Sequence, residues 1–441
     1  MSVVKLMKKF KIVTLGCKVN AYESEAVANM LEEKGYIRSE DEADIVVVNT
    51  CSVTSTSDSK SRQKIRHEIN NNPNAIMCVM GCYSQVKSEE VASISGVNIV
   101  IGTKYRDKIV DLIDEFEENK KQIIHIEDSN SFKKFEDLSV IDYFSNTRAY
   151  LKIQDGCNNF CSYCIIPYTR GRVRSKDKDL IIKEANNLVK KGYKELVLTG
   201  IHTGGYGLDL DNYRFENLLE DMANEVKGIS RIRVSSIEIH ELNDHVIKLM
   251  QDNKVFVNHF HIPLQSGCDK TLKAMNRKYD VNYFIDRAKL IKNSFKDCNL
   301  TTDVIVGFPG ETDEDFKITC ANIRKIGFTK IHVFPFSSRS GTVASRMKDQ
   351  VNGEIKKKRV EELIKLSKEL GKEYYSKFID RKLEVLFETF DKETNMLTGY
   401  TSNYIKVHCP GDPSLLNTFK DVKLLELIEK DNDYEMKGRL L

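Results

Sequence analysis

Three cysteines crowd into one short stretch, Asp155-Gly156-Cys157-Asn158-Asn159-Phe160-Cys161-Ser162-Tyr163-Cys164-Ile165-Ile166-Pro167, at C-x3-C-x2-C spacing. A loop this short cannot keep three thiolates apart, and convergent thiolates take a soft metal or an iron–sulfur cluster. A structural zinc site closes its tetrahedron with four ligands. No fourth Cys or His lies nearby, so one metal position stays open, as catalysis needs. The competing reading is three free or disulfide-forming cysteines. A strand-like run, Tyr150 to Gln154, leads into the loop.

The spacing, the aromatic Tyr163 before the last cysteine, the preceding strand and the following Pro167 resemble the radical S-adenosylmethionine superfamily. The resemblance implies that Cys157, Cys161 and Cys164 hold a 4Fe–4S cluster. Its fourth iron would chelate the amino and carboxylate groups of S-adenosylmethionine.

At 441 residues the chain can form two or three domains. Its 68 Lys+Arg and 65 Asp+Glu leave a net charge of +3, which neither demands nor excludes a nucleic-acid partner. Eleven cysteines are far below the density of a disulfide scaffold, and as reduced ligands they indicate a cytoplasmic protein. The basic start, Met1 to Lys11, precedes an apolar run too short for a signal peptide, and no segment reaches the length of a membrane span. No membrane partner is expected.

Residues 1–125 read as an α/β domain. Strands fall at Lys11–Gly16, Asp44–Asn49, Ala75–Met80 and Asn98–Ile101, with helices at Ala21–Lys34, Asp58–Asn71 and Thr103–Glu118. This alternation argues a doubly wound parallel sheet, whose ligands bind beyond the carboxyl ends of the strands. There stand Cys17, Cys51 and Cys82, one after each of the first three strands. Each alone reads as an ordinary buried cysteine; three at equivalent positions can meet. Cys78, inside its strand, is packing.

The boxes Thr14-Leu15-Gly16-Cys17-Lys18-Val19-Asn20, Asn49-Thr50-Cys51-Ser52-Val53-Thr54 and Gly81-Cys82-Tyr83-Ser84-Gln85 resemble those of the methylthiotransferases, a radical S-adenosylmethionine family. Ser84 stands where Ala is commoner. The resemblance implies a second, auxiliary 4Fe–4S cluster on Cys17, Cys51 and Cys82.

Residues 126–148 read as an extended linker, with Gln122–Ile126 an edge strand before it. Residues 149–375 supply six strand candidates: Tyr150–Gln154, Glu195–Thr199, Arg231–Ser235, Phe256–Ile262, Leu300–Val306 and Lys330–Phe334. They suit the partial (βα)6 barrel that the superfamily implies, although periodicity alone fits another open parallel sheet. At the carboxyl ends of barrel strands, where chemistry is expected, stand Gly200 and His202 of a glycine-rich loop, Ser236, Glu238 and Gln265. With Tyr163 they are the candidate contacts to S-adenosylmethionine. Glu238 could equally pair with an arginine, and Ile239 replaces the proline common after it. His261-Ile262-Pro263-Leu264-Gln265-Ser266-Gly267 matches the family's H-x-P-x-Q-S-G box, while at least one of His259 and His261 reads as structural. Cys268, Cys298, Cys320 and Cys409 lack convergent partners. After the Lys-rich helical stretch Ile355–Phe378, residues 376–441 alternate in short strands like a small β-barrel. Their place resembles the TRAM domain of the family, so RNA binding rests on that resemblance.

The resemblance covers nearly the whole chain and implies a transferase that replaces an unreactive aromatic C–H. One S-adenosylmethionine methylates a sulfur on the auxiliary cluster, and another yields a 5′-deoxyadenosyl radical. The first box and His332-Val333-Phe334-Pro335-Phe336-Ser337 are closest to the branch modifying C2 of N6-threonylcarbamoyladenosine at tRNA position 37. That branch implies the tRNA anticodon loop and an electron-donor protein as partners. A carboxylate-bearing substrate calls for a cation, and Lys18 and Arg339 are the candidates. Alternatives are another tRNA adenosine such as N6-isopentenyladenosine, or a non-catalytic iron–sulfur or zinc protein that binds RNA.

Overall fold

The run Ile45–Thr50 is buried at every position, as a strand covered on both faces must be. In the computed structural model, which describes residues 7–143, 147–431 and 433–441, it is β3 of a six-stranded parallel sheet. The first six residues of the basic start lie outside the described residues. The other strands are β1 (Lys9–Thr14), β2 (Ile37–Arg38), β4 (Ile76–Gly81), β5 (Ile99–Ile101) and β6 (Ile123–His125), in the order β2-β1-β3-β4-β5-β6. This is the doubly wound sheet expected, with β6 at its edge. The two-residue β2 has too little pattern to be seen in the sequence. The helix expected from Asp58 starts at Ser55, because Thr54 caps it by accepting from the Ser57 N–H at 3.1 Å.

The barrel strands are β7 (Arg148–Lys152), β10 (Glu195–Thr199), β11 (Arg231–Val234), β12 (His259–His261), β13 (Asn299–Val306) and β14 (Lys330–Pro335). Between the first two, β8 (Gln154–Asp155) and β9 (Arg174–Ser175) close a short antiparallel ribbon behind the cysteine loop. β7, β10 and β11 form one parallel set and β12, β13 and β14 another. The bridges Ile232–Phe256 and Ser236–His261 join them into an open six-stranded barrel. The strand expected over Phe256–Ile262 keeps its ladder only at His259–His261. Phe256 turns back to bond the Asn253 carbonyl, and Pro263 has no N–H to continue.

The main core crosses the domain boundary. Tyr22 and Ala26, on the helix Lys18–Glu33, pack with Leu151, Ile153 and Ile181 of the barrel. The linker joins them: Leu138, Val140 and Tyr143 are buried, and the Val140 and Tyr143 amides bond Glu184 and Tyr193, both at 3.0 Å. Its few apolar residues are therefore a strap, not a loose connection.

After the helix Gly353–Ser376, the strands β15 (Lys382–Asp391), β16 (Met396–Thr401), β17 (Lys406–Pro410), β18 (Phe419–Lys430) and β19 (Asp433–Leu440) close a barrel in the order β15-β16-β17-β19-β18. Closure leaves no free sheet edge. Among the described residues, no helix is long and apolar enough to cross a membrane.

Candidate metal and cofactor site

β1, β3 and β4 are parallel neighbours, so the residues that follow them gather at one edge. Cys17 caps the helix Lys18–Glu33, Cys51 follows β3, and Cys82 opens the short helix Cys82–Val86. The approach is close enough that the chain needs glycine: Gly16 has φ +110°, and a Cβ there would stand 3.2 Å from the Cys51 sulfur. Burial raises the pKa of all three thiols. At Cys82 a cation opposes it, the buried Arg170, whose Nε donates to the sulfur at 3.3 Å.

The second trio is held by the ribbon β8–β9. Gly156, at φ +73°, brings its Cα so close to the Arg172 carbonyl that a Cβ would collide with it. Phe160 also adopts a left-handed conformation, at φ +46°, a strain of the kind that clusters at functional sites. Burial, reinforced by Cys161, pushes the Cys164 thiol up to about 12. Here too an arginine supplies a donor: Arg277 Nη1 lies 3.2 Å from the Cys161 sulfur, and its other arm pairs with Glu238.

Arg170 belongs to a buried charge network that spans the domains. Its guanidinium bonds Glu23 at 2.8 and 3.1 Å, Asp155 at 3.2 Å and Asn20 at 3.1 Å. Lys152 and Arg106 also reach Glu23, at 2.7 and 2.6 Å. Burial would raise Glu23 and Asp155, but these cations hold both carboxyls below their ordinary range. The sequence reading missed Arg170 and Arg277. Four cations in seven residues, Arg170, Arg172, Arg174 and Lys176, straight after the cysteine loop, were the available signal for the first.

One cavity reaches the second trio and the residues that follow Cys51. It is lined by Val53 and Thr54 just after Cys51, by Tyr163 and Cys164, and by Gln265, Asp303, Ile305 and Phe334. Gln265 is itself strained, at φ +64°. His202 lies against Cys157 and pairs with Glu241. Burial pulls its pKa down, but these two partners outweigh that and push it up to about 10. Gly200 leaves room for the Gln154 side chain, which binds the His202 amide at 2.8 Å. Ser236 pairs with His261 across the sheet, and Glu238 takes the arginine partner that the sequence left open.

The two candidate cations for substrate part company. Arg339 is buried, bonds Asp58 at 2.8 Å and Ser52 at 2.7 Å, and so clamps the first domain to the barrel. Its charge is therefore already paired within the protein. Lys18 has no ion-pair or hydrogen-bond partner among the described residues. Its side chain reaches water, yet the protein crowded around it lowers its pKa, as do Arg233 and Arg148, against Tyr404 and Glu195. Tyr404 comes from the C-terminal barrel, stacks on His259 at 4.7 Å and accepts from Arg148 at 3.0 Å. The sequence reading missed this residue as well.

The donor sets suit polynuclear clusters. Around one zinc ion, thiolates at 2.3 Å stand about 3.8 Å apart. Among the described residues, only His261, Asp303 and His332 bring three such ligand atoms within 4.8 Å of one another, so both cysteine trios are set wider. Cys78, Cys268, Cys298 and Cys409 are buried, whereas five of the six trio cysteines are at least partly exposed.

The family model of the radical SAM superfamily matches residues 151–323, and that of the uncharacterized protein family UPF0004 matches residues 9–102. Among solved structures, the radical S-adenosylmethionine methyltransferase TsrM from Kitasatospora setae shares the fold. It has a TM-score of 0.55 at 12% identity, over 75% of each chain. Fold and site thus define a radical S-adenosylmethionine enzyme. The chain is 47% identical to the threonylcarbamoyladenosine tRNA methylthiotransferase MtaB of Bacillus subtilis, over 94% of this chain and 93% of the relative. It is 36% identical to the protein of that name from Thermotoga maritima, over 96% of each. With the tRNA-2-methylthio-N(6)-dimethylallyladenosine synthase of a Thermoanaerobacter species it shares 38%, over 95% of this chain and 90% of the relative. The chain belongs to the radical S-adenosylmethionine methylthiotransferase family.

Proposed function

We propose that this enzyme methylthiolates C2 of N6-threonylcarbamoyladenosine at position 37 of tRNA. The observation that carries the reading is that two three-cysteine sets each have an arginine donating to one of their sulfurs, with one cavity lined by Cys164 of the second set and by Val53 and Thr54, which follow Cys51 of the first. Cys157, Cys161 and Cys164 would hold the radical cluster, and Cys17, Cys51 and Cys82 the auxiliary one. Bound clusters and S-adenosylmethionine would supply the sulfur and the radical that an inert aromatic C–H requires.

The chain's own part is positional. Arg170 and Arg277 compensate thiolate charge in a place where burial disfavours it. Tyr163 and Gln265 line the cavity for the adenosine of S-adenosylmethionine, while Gly200, His202, Ser236 and Glu238 frame the cluster end. His202, protonated beside Cys157, adds a further positive charge there. Ile305 and Phe334 keep the cavity wall apolar and limit water. Lys18, next in sequence to Cys17, offers the threonyl carboxylate an ammonium that has no ion-pair partner among the described residues. The C-terminal barrel would hold the tRNA, and an electron-donor protein would reduce the radical cluster.

Mass spectrometry of tRNA nucleosides from cells with and without the gene tests this. Loss of 2-methylthio-N6-threonylcarbamoyladenosine, with its unmethylthiolated precursor accumulating, is expected. A change in the isopentenyl series instead would move the substrate to that branch. Iron and sulfide of about eight each per chain are expected for two clusters, and zinc alone would sink the reading.

A further inference from the structure

We propose a third metal site, for a single divalent ion of the zinc type, built from His261, Asp303 and His332. These residues sit on the adjacent parallel strands β12, β13 and β14. His261 is paired with Thr301, two residues before Asp303, and Asp303 is paired with His332. With a period of two, all three point to one face. It is the face opposite Leu300, Val304 and Ile331, which pack into the main core.

The spacing is that of ligands to one ion. His261 Nε2 lies 3.2 Å from Asp303 Oδ2; two donors at 2.0 Å on a tetrahedral ion stand about 3.3 Å apart. The His261 and His332 ring centres are 5.6 Å apart and tilted by 57°. Two imidazoles sharing one ion in tetrahedral to trigonal geometry have centres about 5.2–5.5 Å apart. The supporting contact is present too: His261 Nδ1 is 2.9 Å from Thr301 Oγ1. A ligating histidine characteristically spends its other nitrogen in such a bond, which fixes the tautomer. In the tautomer whose Nδ1–H donates to Thr301, Nε2 turns a lone pair toward the Asp303 carboxylate, a repulsion that a cation between them relieves. A proton shared by His261 and Asp303 would serve those two. It would leave unexplained why His332, without a hydrogen-bond partner among the described residues, faces the same point.

Three protein ligands with a fourth position left over is the pattern of working zinc sites, not structural ones. Asp303 also lines the cavity with Tyr163 and Gln265, so an oxygen ligand in that cavity is the natural fourth donor. The site involves none of the six trio cysteines and stands whichever nucleoside is the substrate.

The test uses the full-length protein with its clusters loaded, dialysed against a small excess of zinc and then against metal-free buffer. Expected are about one zinc per chain, imidazole and oxygen scattering with no sulfur in the zinc absorption-edge spectrum, and loss of that zinc in His332→Ala with iron unchanged. Asp303→Asn should retain zinc at least tenfold more weakly. The proposal is overturned if wild type keeps no stoichiometric zinc, if the zinc has sulfur ligands, or if His332→Ala and His332→Gln both hold it as wild type does.

Discussion

Replacing Arg170 by glutamine removes one charge from a buried, multiply bonded site. Around it, four cations (Arg106, Lys152, Arg170 and Arg174) face three carboxylates (Glu23, Glu136 and Asp155). The surplus positive charge meets the sulfur of Cys82 at 3.3 Å. Breaking a buried pair costs about 3–5 kcal/mol when a charge is left uncompensated. Here Arg106 and Lys152 remain on Glu23, and Lys152 remains on Asp155, so the loss of stability should be near the low end, about 3 kcal/mol. The sulfur has no such reserve. A hydrogen bond to a charged group contributes about 1.5–3 kcal/mol, so iron should be held roughly 10- to 150-fold more weakly at the Cys17/Cys51/Cys82 set. Reconstituted Arg170→Gln should therefore carry about four irons per chain instead of about eight, with the radical-cluster signal retained in electron paramagnetic resonance. Arg170→Lys, which keeps a charge without the planar fork, should fall between. Arg170→Gln that loads full iron and melts like wild type would refute the reasoning.

Lys18→Met should lower kcat/KM roughly 10- to 150-fold on tRNA carrying N6-threonylcarbamoyladenosine, and leave any activity on N6-isopentenyladenosine unchanged. Equal losses on both would remove the carboxylate contact. Gly156→Ala forces a left-handed φ of +73° and a collision with the Arg172 carbonyl; iron should again fall to about four per chain, this time with the radical-cluster signal lost. Asp315 caps the helix Asp313–Ile326 and bonds Lys270. Burial opposes its ionisation, but these bonds outweigh that and hold it at about 2. Against about 3.9 in the unfolded chain this favours the folded state, and with the Lys270 partner exposed to solvent the contribution is about 1 kcal/mol. The sign is that of a depressed acid: the contribution is present above about pH 4 and lost as pH falls through about 2. Thermal melts of Asp315→Asn should show a deficit at pH 7 that closes toward pH 2.

The cysteine loop, the three strand-end boxes and the alternation of strands and helices were legible because each is local. The period of a buried strand and the spacing of three ligands are properties of a few consecutive residues. The same reasoning failed where partners are far apart along the chain. Arg170 is 88 residues from Cys82, and Arg277 is 116 from Cys161. Nothing in the pattern of either segment announces the other. Arg339 shows the same limit from the other side. By sequence it was a cation near a strand end, but Asp58 from the first domain neutralises it.

The sequence alone determined which elements form and which side chains could bind metal, since both follow from local periodicity and donor chemistry. Tertiary structure decided which of those side chains share a space and which charges remain unspent. It brought Cys164 and the residues after Cys51 to one cavity, placed one arginine against a sulfur of each trio, and left Lys18 with no ion-pair partner among the described residues. The reason is physical: burial makes an unpaired charge costly, so the meaning of a buried cation depends on which anion the fold brings to it.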